Sequence, residues 1–185
     1  ARRRNFFYHV TRFAFGAQIA PSRFEATQWL FLRALAVIYA FAFSSLALQV
    51  HGLLGEHGIA PVAQFLGRLD QTGSAMRFLA APSIFWLGAD DNTLVALCFA
   101  GVVLSALLLL TGFVRRKFER LILVLLFVFY LSFVSVGQEF LTFQWDSLLL
   151  EAGFLAIFLG NNRVTPWLFR WLVFRLYFLS GAVKL

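Results

Sequence analysis

Residues 28–50 read QWLFLRALAVIYAFAFSSLALQV, with one charge in the whole run. That is long enough for the roughly 20 apolar residues an α-helix needs to cross a bilayer. Similar runs follow at about 93–113, 119–136, 147–160 and 166–184. Backbone polar groups in hydrocarbon must be satisfied within the segment that carries them, which for continuous apolar runs means helices. The pattern predicts an all-α, polytopic transmembrane bundle of about five spans. Composition agrees: 61% of residues are hydrophobic, 18% aromatic and 14% charged, against about half apolar and a quarter charged in soluble domains. The chain is too evenly apolar to be a signal peptide followed by a soluble domain.

The fourth run is short. Residues 147–160 give about 21 Å of helix at 1.5 Å per residue, less than the ~30 Å hydrocarbon core. Such a span needs protein around it, or an irregular extension through 137–146 shielded from lipid.

The flanks divide the chain into a basic segment, 1–27, and a membrane domain, 28–185. Within 5–17, Phe6, Val10, Phe13, Ala14 and Ala17 share one helical face, with Asn5, His9, Arg12 and Gly16 on the other. This predicts an amphipathic helix lying in the headgroup plane, ended by Pro21-Ser22. Arg33, about one turn inside the first span, is placed to snorkel back to the interface. In the 51–91 connection, Val62, Phe65, Leu66 and Leu69 recur at helical spacing after Pro61 and predict a short amphipathic helix over 61–70. Ser74 is a candidate cap for another at 75–80, stopped by Pro82. SIFWLG (83–88) is too short to span and reads as an interfacial anchor built on Trp86.

The net charge of +7 is a topology signal. Arg2, Arg3, Arg4, Arg12 and Arg23 precede the first span, Arg115, Arg116, Lys117 and Arg120 lie between the second and third, and Arg163 follows the fourth. The other side has Arg68 and Arg77 against Glu56, Asp70, Asp90, Asp91 and Glu139. The positive-inside rule therefore puts the N-terminus in the cytoplasm. A nucleic-acid groove would need aromatics interleaved with the basic residues on a soluble face, so nucleic acid is excluded as a partner. Cys98 is the only cysteine, which rules out an internal disulfide and a CxxC site. The chain stops at Leu185, directly after Lys184, with no polar tail, and reads as part of a longer protein. The Phe/Leu/Ala/Arg-rich style and short loops favour a bacterial inner membrane over the endoplasmic reticulum.

Intramembrane charges are expensive and are retained where they pair or act. Glu151 and Arg175 lie at matching heights, about 14 Å from the loop joining the last two spans. An ion pair between them is the economical solution, because either charge alone would be stranded. Asp146 precedes the fourth span and reads as its N-cap, with Gln138, Glu139, Gln144 and Trp145 close by. Lys184 is placed either to snorkel or, with its amine partly desolvated, to act as a base. His51, Glu56 and His57 carry ligand-type atoms, but two histidines six apart with glycines between do not share a helix face, and no metal site is expected.

Taken in order, WLFLRALAVIYAFAF (29–43), LLGEHGIAPV (53–62), SVGQEFLTFQWDSLLLEAGFLAIFL (135–159) and RWLVFRLYFLSGAVKL (170–185) resemble the lipase maturation factor family. The likeness covers roughly 28–185 and is sharpest in F-x-W-[DE]-S-x-L-L-E-x-G-F, then R-W-L-x-F-R and G-x-x-K-[LI]. It implies a polytopic protein with a cytoplasmic N-terminus, and it places Asp146, Ser147, Glu151, Gly153, Arg170, Arg175, Gly181 and Lys184 at motif positions. It also implies help with the folding or assembly of secreted lipases, and further spans and a luminal domain beyond Lys184. A more distant resemblance, to the vitamin K-dependent gamma-glutamyl carboxylases, would make Lys184 a catalytic base with a quinone or lipid-like molecule among spans one, four and five.

Three functions follow as expectations. The first is a non-enzymatic maturation factor whose partners are membrane lipids and an exported client, with no cofactor. The second is a membrane enzyme using Lys184. The third is an accessory subunit held to other membrane subunits by aromatic faces.

Overall fold

The structure, a computed structural model, describes residues 25–71, 76–110, 116–160 and 164–182. The helix expected over 5–17, the cap expected at Ser74, and Arg115, Arg163 and Lys184 lie outside the described residues.

Every regular element among them is helical. In chain order they are α1 (Glu25–Leu53), α2 (Val62–Gln71), α3 (Arg77–Ala80), a 3-10 turn (Ile84–Trp86), α4 (Asp91–Leu110), α5 (Arg116–Val136), a second 3-10 turn (Gln138–Leu141), α6 (Gln144–Ile157) and α7 (Val164–Ala182). Among the described residues, three stretches are long and apolar enough to cross a membrane: Ala26–Leu53, Asp91–Leu110 and Lys117–Val136.

The centre of the bundle is α1 against α4, with α5 packed on α4 and α6 on α5; α7 touches α6 only lightly. Both central helices are apolar all round, so the buried stripe is set by size. On α4 it runs Leu94, Cys98, Gly101, Ser105, Leu108, alternating steps of four and three as in a coiled-coil seam. On α1 it runs Tyr39, Phe43, Leu46, Val50. Gly101 is glycine because the Phe43 ring lies directly over it, where a Cβ would collide. Ser105 donates its hydroxyl proton to the Gly101 carbonyl at 2.7 Å, so the hydroxyl on the α4 side of this seam is satisfied within its own helix.

Aromatic rings fill the middle. Phe43 meets Tyr130 at 5.7 Å and Phe133 at 6.4 Å between centroids, Tyr39 meets Tyr130 at 5.9 Å, and Phe85 meets Phe133 at 5.0 Å. All four pairs are edge-to-face, an arrangement the ring quadrupole favours.

Phe85 corrects the sequence reading of 83–88. The segment is a 3-10 turn whose central side chain is only 1% exposed and plugs into the bundle. It is held there by polar bonds. The Ile84 amide donates to Ser132 Oγ at 3.0 Å, Ser83 Oγ donates to the Ser132 carbonyl at 3.2 Å, and Trp86 Nε1 donates to the Ala81 carbonyl at 2.8 Å. Periodicity is silent on a three-residue turn, and an anchored aromatic reads the same whether it faces headgroups or core.

The glycine-rich 52–60 segment folds back on the end of α1. Ile59 N donates to the Gly52 carbonyl and Ala60 N to that of Leu53, at 3.0 and 2.8 Å. This directs α2 across the bundle, where Val62 and Leu66 are buried.

A groove between α1 and α6

Helices α1 and α6 run antiparallel. Gln28 Nε2 donates to the Gly160 carbonyl at 3.4 Å, and Tyr39 lies beside Leu149, its hydroxyl 3.5 Å from the carbonyl oxygen. Gly153 permits that approach, because a Cβ there would strike the Tyr39 hydroxyl. Elsewhere the two helices stand apart and leave a groove of about 710 Å³. Its walls are one face of α1, from Phe31 to Leu53, and on the other side Phe140, Phe143 and α6 residues Trp145 to Ala152. Ser45, Gln49, Tyr130 and Asp146 are its polar lining.

Asp146 is not the cap of α6. The capping position is Phe143, in extended conformation and with no side-chain bond to the helix. Asp146 sits in the first turn, where a carboxylate is still favoured by the helix dipole, and it accepts a hydrogen bond from Tyr130 at 2.5 Å through Oδ1. Sequence reasoning missed Tyr130 entirely. Its only signal is that it is the one tyrosine among the apolar residues of α5, and nothing local says which helix it faces. Ser147 is exposed.

One helical turn further on, Arg175 of α7 donates to Glu151 Oε2 of α6. The two side chains are 43% and 40% exposed, so the pair lies on an open flank of the described helices. Arg170 is exposed on α7, and a Cβ at Gly181 would meet nothing within 4 Å. Lys184, on which the enzymatic reading rests, is outside the described residues. The turn between α6 and α7 is held by Thr165 Oγ1, which donates to the Phe158 carbonyl at 3.2 Å.

Arg33 does not snorkel. Its side chain is 8% exposed and turns inward, donating to the Leu108 carbonyl at the end of α4 and pairing with Glu119 of α5 at 3.3 Å. The last carbonyls of a helix have no intrahelical donor, and a guanidinium supplies several donors in a fixed fork. Trp29 lies 5.7 Å from the guanidinium carbon, a cation–π distance.

Among the described residues no group of three or more His, Cys, Asp or Glu is arranged to hold a metal. His51 Nδ1 lies 3.4 Å from Asp91 Oδ2, and Asp91 Oδ1 accepts from the Glu56 amide at 2.8 Å. Asp91 thus ties the 51–58 turn to the start of α4. Beside it Asp90 caps that helix. Its Oδ1 accepts from Thr93 Oγ1 at 2.7 Å and its Oδ2 from the Thr93 amide at 3.2 Å. Those bonds to the ionised form hold the Asp90 carboxyl below its ordinary value.

Fold and groove together define a helical integral membrane protein with a mostly apolar lateral groove between α1 and α6. The profile of the lipase maturation factor transmembrane domain matches residues 26–185. Lipase maturation factor 2 of Xenopus laevis is 44% identical over 174 residues, covering 84% of this chain and 24% of that protein. The human Lipase maturation factor 2 is 40% identical over 184 residues, covering 84% and 25%. Lipase maturation factor 1 of Bos taurus is 34% identical over 189 residues, covering 91% and 33%. The chain belongs to the lipase maturation factor family. It spans about a quarter to a third of the length of these relatives. No solved structure matches it. The relatives are vertebrate proteins, which gives no support to the bacterial inner membrane that composition suggested.

Proposed function

We propose that this chain is the membrane part of a maturation factor that assists the folding or assembly of exported lipases or similar exported proteins. The observation that carries the reading is the family match over 26–185, together with identities of 34–44% to proteins named lipase maturation factors. The arrangement we favour has five spans, with α6 and α7 as the fourth and fifth. Helix α7, at 19 residues, is about 28 Å long, and α6 is extended by the Gln138–Leu141 turn. The basic residues put the N-terminus in the cytoplasm, so the 51–91 connection and the α5–α6 turn lie on the side where exported clients fold.

The test is a chimera in which residues 26–185 replace the matching third of the bovine factor 1, expressed in cells that lack their own factor. Secreted lipase activity per mass of lipase should return to a substantial fraction of that given by the parent. A chimera that reaches the membrane at normal level and restores none of it refutes the reading.

A further inference from the structure

Part of the connection between α1 and α4 sits below the end of α5. The Ile84 amide donates to Ser132 Oγ, Ser83 Oγ donates to the Ser132 carbonyl, and Ser135 Oγ donates to the Pro82 carbonyl at 3.2 Å. Ser132 comes one turn before Val136, where α5 ends, a distance of about 6 Å along the helix. The apolar stretch Lys117–Val136 has 20 residues, or about 30 Å of helix, which matches the ~30 Å thickness of the hydrocarbon core. All of that length is needed to cross. Ile84 therefore stands about 6 Å inside the hydrocarbon rather than above it.

The bonding of the segment suits that depth. A loop in water finds its hydrogen bonds in the solvent, whereas irregular backbone at membrane level must bring its partners with it. Here the amides of Leu79, Ala80 and Ala81 donate within α3, and those of Leu87 and Gly88 donate within the 3-10 turn. The Phe85 amide donates to Ser83 Oγ at 3.2 Å. Two serines on one face of α5 serve Pro82, Ser83 and Ile84.

The outward side chains are apolar. Leu87 is 90% exposed, Leu79 79% and Phe78 51%, and the Phe78 and Trp86 rings, 5.3 Å apart, tie α3 to the turn. The charges stand at the edge. Arg77 pairs with Asp70 at the end of α2, and its guanidinium carbon lies 4.8 Å from the Phe78 ring and 5.5 Å from that of Trp86. An arginine whose stem crosses apolar surface and whose head meets a carboxylate is a residue of the membrane–water boundary.

We propose that residues 76–88 form a re-entrant segment seated in the leaflet at that end of α5. Leu79 and Leu87 contact acyl chains, Phe85 fills the bundle, and the Asp70–Arg77 pair lies among the headgroups. The occupant of this apolar surface is lipid. The placement goes beyond the maturation reading and stands without it, resting only on α5 as a span.

The test uses the full-length protein with an environment-sensitive fluorescent amino acid at Leu79, at Leu87 or, as a control in the exposed 52–60 turn, at His57. Each version is reconstituted in phosphatidylcholine vesicles and quenched by dibrominated phosphatidylcholine or by iodide present on both sides. The brominated lipid should quench Leu79 and Leu87 several-fold more than His57, and iodide should give the reverse order. Iodide quenching at Leu79 and Leu87 as strong as at His57 would put the segment in water. Protection from both quenchers would mean that protein covers it. Either result overturns the proposal. Leu87→Asp gives a second readout, because such a change is nearly neutral at an exposed position in water and costly among acyl chains. Folded protein recovered from membranes should fall several-fold for Leu87→Asp and stay level for His57→Asp; equal recovery of the two also overturns the proposal.

Discussion

The Tyr39 hydroxyl of α1 rests on the backbone of Gly153 in α6, and there is no room between them for a methyl group. This contact sets how closely the two helices approach and hence the shape of the groove beside it. Gly153→Ala should destabilise the protein by about 1–3 kcal/mol, the usual cost of overpacking a filled site. The bond from Tyr39 to the Leu149 carbonyl is long, at 3.5 Å, so Tyr39→Phe alone should cost less. Combined with Gly153→Ala it should recover most of the loss. A double-mutant cycle from unfolding in mixed micelles reads the coupling; strictly additive effects would show that the collision is not what matters.

Arg33 and Glu119 form a nearly buried pair, 8% and 13% exposed. Arg33→Met leaves the nearly buried Glu119 charge without this arginine and should cost about 3–5 kcal/mol. Arg33→Met with Glu119→Leu removes both charges and should be more stable than the single variant. If the double variant is the less stable of the two, the pair is not the source of the penalty.

On the α6–α7 flank, Glu151→Leu should lower accumulation of folded protein in membranes, because it leaves Arg175 unpaired within a helix of mostly apolar residues. The exchanged pair, Glu151→Arg with Arg175→Glu, should restore much of it. Protease-resistant protein in isolated membranes is the readout, and no rescue by the exchange would argue against a direct pairing.

Asp90 gives a pH dependence of defined sign. Its carboxyl is held low in the folded state by the Thr93 bonds, so its contribution is present above the unfolded carboxylate value of about 3.9. That contribution is lost as pH falls through the lower folded value. The melting temperature of Asp90→Ala should lie below that of the parent at pH 7 and at pH 5, and the gap should narrow below about pH 4. A gap constant down to pH 3 would mean that the hydrogen bonds, and not the ionised carboxylate, carry the cap.

The spans were the most legible part of the fold. The runs at 28–50 and 119–136 lie within α1 (Glu25–Leu53) and α5 (Arg116–Val136), and α4 (Asp91–Leu110) covers most of the run at 93–113. Length and apolarity decide such segments with little help from context. What could not be read was facing. A helix apolar all round shows no stripe, so nothing in α1 or α5 told that Tyr39 meets Gly153 or that Tyr130 reaches Asp146. Arg33 was assigned to the interface because a lone arginine near a span's end snorkels by default. Its acceptors, Leu108 and Glu119, are 75 and 86 residues away in sequence, beyond any local pattern. The groove was invisible for the same reason: it is the gap left by two helices whose separation is set by a glycine.

The inward arginine bears on how the protein is made. During synthesis α1 leaves the ribosome first, carrying a charge whose carboxylate partner is 86 residues behind it. Until the end of α4 and the first turn of α5 have been made, neither group that Arg33 bonds in the folded protein is present. Its inward turn is therefore completed when α1, α4 and α5 come together, which makes the Arg33–Glu119 pair a mark of assembly of the three helices.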